Sequence, residues 1–241
     1  MSDGDEEVII SARDITRDYG QGENAVHALR GISLDIIKGK TTAIIGKSGS
    51  GKSTLAHILA TLDRPTSGEL TINGIKALGI SQKQLNQMRN QQFGFVFQQF
   101  FMDPHATVLD NVMLPMEIAG VGIREREKRA LKALDAVDLS DKPNVRATDL
   151  SGGQKQRVCI ARAIVNNPEI IFADEPTGNL DSKTSELIEN LLFKLNKNKG
   201  ITLVIVTHDD DLANKCQRRI ELHDGKIVAC DGENCKLVEA K

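Results

Sequence analysis

Residues 46–53, Gly-Lys-Ser-Gly-Ser-Gly-Lys-Ser, combine glycines, a lysine and a terminal hydroxyl at a spacing that suits phosphate. Glycines let backbone N–H groups turn toward phosphate oxygens without a Cβ in the way. Lys52 offers a positive charge to the β- and γ-phosphates, and the Ser53 hydroxyl is a ligand for Mg²⁺. The apolar run 41–45 precedes the stretch and a helix-like run, 54–59, follows it. Strand, glycine-rich turn and helix in this order predict a phosphate-binding loop, not a chance turn.

Further candidates follow apolar runs later in the chain. Asp174 and Glu175 come directly after the run 169–173, and His208 closely follows the run 201–206. A carboxylate at Asp174 suits Mg²⁺, and one at Glu175 can accept a proton from water attacking a γ-phosphate. Ligands of parallel sheets bind beyond the carboxyl ends of the strands, where these side chains are expected. An isolated Asp-Glu pair is often merely an exposed acidic pair, but the phosphate loop weakens that interpretation.

The start of another helix-like run forms a second candidate anion site. Ser151 is a good N-cap residue, and Gly152 and Gly153 leave backbone N–H groups accessible at the helix N-terminus. Alone, this pattern fits a simple helix start. Together with the phosphate loop it favours a nucleotide held between two surfaces.

The surrounding elements predict an α/β fold. Segments 8–15 and 29–36 read as strands without an intervening helix, which indicates an antiparallel β portion. From residue 169, continuous apolar strands alternate with helices, which indicates a parallel sheet covered on both faces. Helices are also expected over 81–90, 124–137 and 182–198, and a strand over 93–97.

Residues 100–121 mix apolar residues with prolines and glycines, and together with the charged helix expected over 124–137 they predict a helical insertion with exposed apolar surface. Such surface often marks a partner site, although an ordinary irregular subdomain fits the composition equally well. The apolar residues concerned are Phe100, Phe101, Met102, Val108, Leu109, Val112 and Leu114.

Bulk properties narrow the classes of function. The 241 residues carry a net charge of -2, so no global basic field indicates nucleic acid. No stretch approaches the roughly 20 apolar residues of a membrane span, and the acidic segment 1–7 lacks the apolar core of a signal peptide. A cytosolic chain with free thiols at its four cysteines is therefore expected. Cys230, Cys235 and the nearby His223 match no strong zinc spacing.

In combination, these motifs resemble those of the nucleotide-binding subunit of ATP-binding cassette (ABC) transporters, over about residues 8–228. The stretch 46–53 matches the Walker A motif, 150–154 the family signature and 170–175 Walker B with its catalytic glutamate. Residues 179–181 match the D-loop. In this order the motifs are highly specific together.

The resemblance implies a role for individual side chains. Glu175, His208 and Gln98, the last in the Q-loop, are the expected catalytic residues. Ser53, Gln98 and Asp174 are the expected Mg²⁺ ligands. Tyr19 lies where the family places an aromatic residue that stacks on adenine, although ordinary packing also explains a lone aromatic. The expected nucleotide-binding residues are Tyr19, Gly46, Lys47, Ser48, Gly49, Ser50, Gly51, Lys52, Ser53, Thr54, Ser151, Gly152, Gly153, Gln154 and Asp181.

Three stretches, 58–68, 93–98 and 173–181, resemble the group of lipoprotein-release and macrolide-export ATPases, and the related cell-division ATPase is also similar. In this group a small separate ATPase works with permeases that have large extracytoplasmic domains. After the Q-loop the group usually has leucine-rich residues, whereas this chain has Phe-Met-Asp-Pro at 101–104. That stretch normally faces the permease, so the identity of the partner stays open.

The resemblance implies a single nucleotide-binding domain over residues 1–241. Its α/β P-loop core is RecA-like, with an antiparallel β subdomain and a helical signature lobe inserted at about 100–165. ATP and Mg²⁺ are the expected cofactors. The expected partners are a second copy, joined head to tail through ATP, and a separate permease that holds the chain on the inner face of the cell membrane. No nucleic acid partner is expected.

Other classes explain the sequence less well. A cell-division-type or other non-transport ABC ATPase is the main alternative, including relatives that act on DNA or ribosomes. The segment 99–150 is short and has no sustained heptad repeat of the kind found in the long coiled coils of DNA-repair relatives. Ribosome-acting relatives usually join two cassettes in one chain, whereas this sequence contains the motifs of one. A P-loop kinase or GTPase does not explain the signature helix.

Overall fold

The computed structural model describes residues 7–20, 22 and 25–232. The acidic segment 1–6 and Cys235 therefore lie outside the described residues. The chain divides into two compact units, Met1–Leu85 with Thr202–Lys241, and Asn86–Ile201. In chain order the elements are β1 (Val8–Tyr19), β2 (Val26–Ile37), β3 (Thr41–Gly46), α1 (Lys52–Leu59), β4 (Ser67–Ile72), β5 (Ile75–Lys76), α2 (Gln82–Gln92), β6 (Phe93–Phe97), α3 (Val108–Ile118), α4 (Ile123–Asp135), α5 (Gly152–Ile164), β7 (Ile170–Asp174), α6 (Ser182–Lys199), β8 (Thr202–Val206), α7 (Asp210–Asn214), β9 (Arg218–His223) and β10 (Lys226–Gly232).

The first unit contains an antiparallel sheet in the order β2-β1-β4-β5. Its long strands β1 and β2 bury one set of side chains, among them Ile10, Ile15 and Ile36, which are fully covered. Because antiparallel strands pair without a crossover helix, two strands adjacent in sequence can form this sheet directly. The prediction of an antiparallel β portion before the phosphate loop is confirmed.

A second sheet in the first unit carries the phosphate loop. Strand β3 pairs in parallel with β8 and β9, and β10 pairs antiparallel with β9. All five residues of β8 are buried, as expected for a strand covered on both faces. The sequence analysis assigned no element beyond His208, so α7, β9 and β10 are additions from the structure.

The second unit pairs β6 and β7 in parallel and packs α3, α4 and α5 against one another, with α6 against α5. Strand β6 and helix α5 approach closely, since a Cβ at Gly94 would lie 2.6 Å from the Ala163 carbonyl oxygen. In α3, Val108, Val112 and Met116 repeat every four residues and are fully buried. The expectation that Val108 and Val112 contribute to an exposed apolar surface is therefore wrong, because both lie on the inner face of this helix.

The cysteines differ in state. Cys159 and Cys216 are free thiols, and burial raises the pKa of Cys159 to about 11 and that of Cys216 to about 12. Cys230 is disulfide-bonded, so the expectation of a free thiol is wrong at this position. Within the part of the chain that the structure describes, no group of three or more His, Cys, Asp or Glu residues could hold a metal ion. Among the described helices, none combines the length and apolar character that a membrane crossing requires.

Candidate functional site

The phosphate loop depends on glycine at both of its ends. Gly46 ends β3 with φ +144°, and a Cβ there would lie 2.2 Å from the Leu222 carbonyl oxygen. Gly51 caps α1 with φ +100°, and a Cβ there would lie 2.6 Å from the Ala28 carbonyl oxygen. Residues that carry a side chain rarely adopt this backbone conformation, and neither position has room for a Cβ. Side chains are thus excluded at these two points of the loop, where its backbone passes close to that of Leu222 and Ala28.

Lys52 is held within this loop. Its ammonium donates hydrogen bonds to the carbonyl oxygens of Gly46 and Lys47, at 2.7 and 2.9 Å, and the residue is only 9% exposed. The buried Ser50 hydroxyl has no hydrogen-bond partner among the described residues. The first turn of α1, all of which is described, contains no acidic residue. A positive charge, an unpaired hydroxyl and a helix N-terminus without a negative charge fit a nucleotide phosphate.

The remaining predicted residues of the loop are accessible. Lys47, Ser48, Gly49 and Ser53 are exposed, and Thr54 is half-buried in the first turn of α1. The Ser53 hydroxyl group is therefore placed on the helix that follows the loop, as the Walker A pattern implies.

Tyr19 lies at the end of β1 and is 41% exposed. Its hydroxyl donates to Asp63 Oδ2 at 2.8 Å, and the guanidinium carbon of Arg17 lies 4.4 Å from the ring centroid. Tyr19 and Asp63 together hold the pKa of the Arg17 guanidinium above its ordinary value. One face of the ring therefore already packs against a cation.

His208 belongs to the same unit. It is exposed and follows the buried Thr207 at the end of β8. The next residue, Asp209, accepts hydrogen bonds from the backbone N–H groups of Asp211 and Leu212 and caps α7. The histidine is thus held between a buried strand and a capped helix.

In the second unit, Asp174 ends β7 and Glu175 begins the turn that follows. Both are half-buried, and Glu175 has a positive φ of +46°. The Glu175 carbonyl oxygen accepts a hydrogen bond from the N–H of Gly178 at 3.1 Å. A non-glycine residue in this conformation costs roughly 1–3 kcal/mol and persists where its surroundings impose it. The turn therefore fixes the backbone from which the Glu175 side chain projects.

Gln98 and the predicted D-loop lie against each other. The Gln98 side-chain amide donates to Asn179 Oδ1 at 3.2 Å, and Asn179 Nδ2 donates to the Gln98 carbonyl oxygen at 3.0 Å. A Cβ at Gly178 would lie 2.8 Å from Gln98 Nε2. Because Phe97 pairs with Asp174 across β6 and β7, the structure brings Gln98 to the same sheet edge as the Asp-Glu pair.

The signature residues begin α5 with a complete N-terminal cap. The Ser151 hydroxyl accepts from the N–H of Gln154 at 3.3 Å, and Gln154 Oε1 accepts from the N–H of Ser151 at 2.9 Å. Ser151 and Gly152 are exposed. Gly153 has a structural requirement of its own, since a Cβ there would lie 2.3 Å from Thr184 Cγ2 in α6.

Asp181 caps α6, which packs against α5. Its carboxylate accepts from the Thr184 hydroxyl at 2.6 Å and from the Thr184 N–H at 3.0 Å. These two hydrogen bonds hold the pKa of Asp181 below its ordinary value. The structure thus gives Asp181 a capping role in addition to the predicted contact with nucleotide.

Sequence reasoning missed Gln156. This residue is 1% exposed, and its Nε2 donates to the carbonyl oxygens of Phe97 and Pro176, at 3.2 and 2.7 Å. The available signal was its spacing, because Gln156, Cys159 and Ile160 share the buried face of α5. A polar residue at a buried helical position requires hydrogen-bond partners.

The segment after Gln98 is held by two polar side chains that the sequence analysis also missed. Arg162 donates to the carbonyl oxygens of Phe100 and Phe101, at 2.9 and 2.7 Å. The buried Asn111 accepts from the N–H of Asp103 and donates to its carbonyl oxygen. Asp103 Oδ1 accepts from the N–H of His105 at 2.9 Å, so this exposed carboxylate stabilises a turn.

Comparison with known proteins covers most of the chain. A family model described as "ABC transporter" matches residues 29–178. The lipoprotein-releasing system ATP-binding protein LolD of Legionella pneumophila (strain Lens) is 43% identical over 223 residues, 92% of this chain and 98% of LolD. The macrolide export ATP-binding/permease protein MacB of Neisseria meningitidis is 45% identical over 229 residues, 95% of this chain but 35% of MacB.

A solved structure is similar over the same extent. The ATP-binding cassette MJ0796, from Methanocaldococcus jannaschii, has been solved as a dimer in a post-hydrolysis state bound to ADP and Pi. It is 44% identical with a TM-score of 0.85, covering 92% of this chain and 98% of that chain. The fold predicted from the motifs is confirmed by this likeness.

Proposed function

This chain belongs to the ABC transporter family, and from that premise we propose that it is the ATP-hydrolysing subunit of a lipoprotein-release-type transporter. The observation that carries the proposal is its match to 98% of the length of LolD, which is named as an ATP-binding protein. MacB, which is named as a protein with a permease part, is matched over only 35% of its length. The naming of LolD as the ATP-binding protein of a releasing system supports a permease on a separate chain, which would hold this subunit at the inner face of the membrane.

The phosphate loop supplies the binding step. Lys52 and the backbone N–H groups of the loop neutralise the charge of the phosphate oxygens. Because the ammonium already lies among the loop carbonyls, little side-chain entropy is lost when ATP binds. Mg²⁺, when bound, would offset the charge of the phosphates, and Ser53, Gln98 and Asp174 would hold it.

Glu175 and His208 carry the hydrolytic step in this proposal. The strained turn after β7 directs the Glu175 carboxylate, which orients water and accepts its proton. His208 donates a hydrogen bond to the γ-phosphate from the end of β8. Tyr19 contributes a partly exposed ring face for the base.

Each chain supplies two half-sites, the phosphate loop and the exposed start of α5. In a head-to-tail pair, Ser151, Gly152 and Gly153 of one chain would cover the γ-phosphate bound to the other. Binding of ATP then closes the dimer and hydrolysis reopens it. The dimeric state of the MJ0796 cassette with ADP and Pi supports this assembly.

Replacement of Glu175 by Gln tests the chemical step. Glu175→Gln has a similar shape and lacks the basic carboxylate, so we expect normal ATP affinity and turnover lowered by about 10²-fold or more. With ATP and Mg²⁺ the variant should be a dimer by light scattering, and with ADP mainly a monomer. Glu186→Gln, at an exposed position of α6, is the matched control. Near-normal turnover of Glu175→Gln, or one mass in both nucleotide states, would contradict the proposal.

The surface that receives the permease is proposed around Phe101. Phe101 is 65% exposed and lies in the segment that Arg162 holds. Leu114 is 48% exposed and lies in α3, the helix that follows this segment. Phe101→Ala and Asp103→Leu should leave ATPase activity intact and lower recovery of the membrane subunit in a pull-down. Leu187→Ala removes an equally exposed apolar side chain from α6 and should change neither. Full recovery with both variants would place the docking surface elsewhere.

The transported substrate can be tested with the reconstituted transporter. We expect a triacylated lipopeptide to stimulate ATP hydrolysis in liposomes that contain this chain and its co-purified permease. A macrolide should not stimulate it. Stimulation by the macrolide alone would favour the export function, and stimulation by neither compound would favour the cell-division-type alternative.

A further inference from the structure

Gln156 connects the ends of two neighbouring strands. Its side-chain Nε2 donates to the carbonyl oxygen of Phe97, the last residue of β6, and to that of Pro176, two residues beyond the end of β7. Both hydrogen bonds lie within the second unit. One buried amide thus holds the backbone immediately before Gln98 and immediately after Glu175.

The turn that Gln156 holds is a strained one. Glu175 has a positive φ, and its conformation persists only if the following residues are fixed. Pro176 is buried and lacks an N–H, so its carbonyl oxygen is the backbone group through which the turn can be held at this residue. The 2.7 Å hydrogen bond from Gln156 supplies that support.

The chemistry of the site explains why the residue is an amide. Both partners are carbonyl oxygens, so the side chain must present its NH₂ group to them, and the flipped orientation would place three oxygens together. Its own Oε1 is buried without a hydrogen-bond partner among the described residues. An apolar residue of similar size would avoid that unfavourable burial. The two donated hydrogen bonds are therefore the feature that only an NH₂-bearing side chain provides here.

We propose that Gln156 is a positioning residue for ATP hydrolysis, which sets the placement of Gln98 and Glu175 through their adjacent backbone. This inference rests on the proposed function of Glu175. Gln156 also belongs to α5, the helix that begins at Ser151. A nucleotide that contacts the start of α5 would therefore influence the positions of Gln98 and Glu175 in the same chain through Gln156.

The test compares two isosteric amide-to-acid substitutions in the full-length chain. Gln156→Glu removes both N–H donors and places an oxygen against two carbonyl oxygens. Asn166→Asp is the matched control, since Asn166 Nδ2 donates to the carbonyl oxygen of Asn90 just beyond the other end of α5. Gln156→Met, which has similar length and no polar N or O atom, is measured in parallel. Steady-state kcat and KM for ATP, thermal midpoint and mass with ATP and Mg²⁺ are recorded for each.

A positioning role predicts a particular combination of results. Small misplacement of catalytic groups lowers rates by about 10²-fold, so kcat should fall by that order in both Gln156 variants. The KM for ATP should change less than about threefold, because the phosphate loop is unaltered. Slow hydrolysis with intact binding should also make the ATP-bound dimer accumulate. Asn166→Asp should keep the kcat of the wild type.

Other outcomes would overturn the inference. A merely structural role would lower the thermal midpoint and leave the kcat of the folded fraction unchanged. A Gln156 variant that folds and has a kcat within about threefold of wild type excludes positioning, as does equal loss of kcat in Asn166→Asp. Glu175→Gln is measured in the same series. If it turns over normally, the proposed function fails; if it is slow while both Gln156 variants are fast, only the positioning role fails.

Discussion

Replacement of Gly153 by Ala tests whether packing by itself requires a glycine in the signature. A Cβ at residue 153 would lie 2.3 Å from Thr184 Cγ2, whereas the Thr184 Cβ and Oγ1 lie at 3.7 and 3.8 Å. The conflict therefore comes from one methyl group. Thr184→Ser removes that methyl and retains the hydroxyl that donates to Asp181.

The expected magnitude follows from two opposing terms. Inserting a methyl group into a packed contact destabilises the fold by about 1–3 kcal/mol. Exchanging glycine for alanine in a helix stabilises the fold by roughly 0.5–1 kcal/mol. Because 2.3 Å is far shorter than any ordinary contact, the cost lies in the upper part of its range, and Gly153→Ala should lose about 1–2 kcal/mol in free energy of unfolding, or about 2–4 °C in midpoint for each kcal/mol. In the double variant the nearest atom lies at an ordinary contact distance, so the alanine should become neutral or stabilising.

Urea unfolding of the wild type, the two single variants and the double variant forms a double-mutant cycle. We expect a favourable coupling free energy of about 1 kcal/mol or more between the two substitutions. Thr184→Ser alone controls for the loss of the methyl contact. Wild-type stability of Gly153→Ala, or additive effects in the double variant, would refute the steric argument.

Further predictions concern nucleotide binding, assembly and pH. Lys52→Ala should weaken ATP binding by roughly 1.5–3 kcal/mol in calorimetry, because it removes a charge-assisted contact, and an unchanged Kd would exclude this role. Tyr19→Phe should bind ATP like the wild type and Tyr19→Ala more weakly, since stacking needs the ring and not the hydroxyl; equal losses would contradict stacking. Ser151→Arg should block the ATP-dependent dimer through bulk and charge, while Ser151→Ala, which loses only the cap, should still dimerise; failure of both would assign the effect to the cap. The pKa of Asp181 is lowered from 3.8, so its ionised form stabilises the fold above that pH, and the stabilisation is lost as pH falls through the lower folded-state pKa. The midpoint difference between wild type and Asp181→Asn should therefore shrink below about pH 4, and a constant difference would contradict this assignment.

The sequence predicted the elements that carry strong local signals. The phosphate loop was recognisable because Gly46 and Gly51 occupy conformations that other residues rarely adopt. Helix α5 was recognisable because Ser151 is a favourable N-cap residue, and the structure adds a reciprocal hydrogen bond between Gln154 and that residue. In each case a short stretch of chain contains both the signal and its physical cause.

The features that the sequence did not predict depend on neighbours distant in the chain. The sequence predicted a helical insertion from residue 100 but not the bounds of α3, which runs through Pro115 and begins at a capping box between Thr107 and Asp110. That box is a local signal that could have located the helix start and the inward face of Val108 and Val112. The helical spacing of Gln156 could signal its burial but not its role, because its partners Phe97 and Pro176 are brought to it only by the pairing of β6 and β7.

The reciprocal cap of Ser151 and Gln154 also has a consequence for the stability of the separated subunit between rounds of ATP hydrolysis. Subunits of permanent oligomers often have no stable fold alone, and their melting then depends on protein concentration. Here the helix end that would face a second copy has its polar groups satisfied within one chain. When the two subunits separate, the start of α5 is exposed with its hydrogen bonds already made, so it does not fray. A dissociated subunit can thus stay folded until it binds the next nucleotide. Its melting temperature without nucleotide should therefore be the same at every protein concentration.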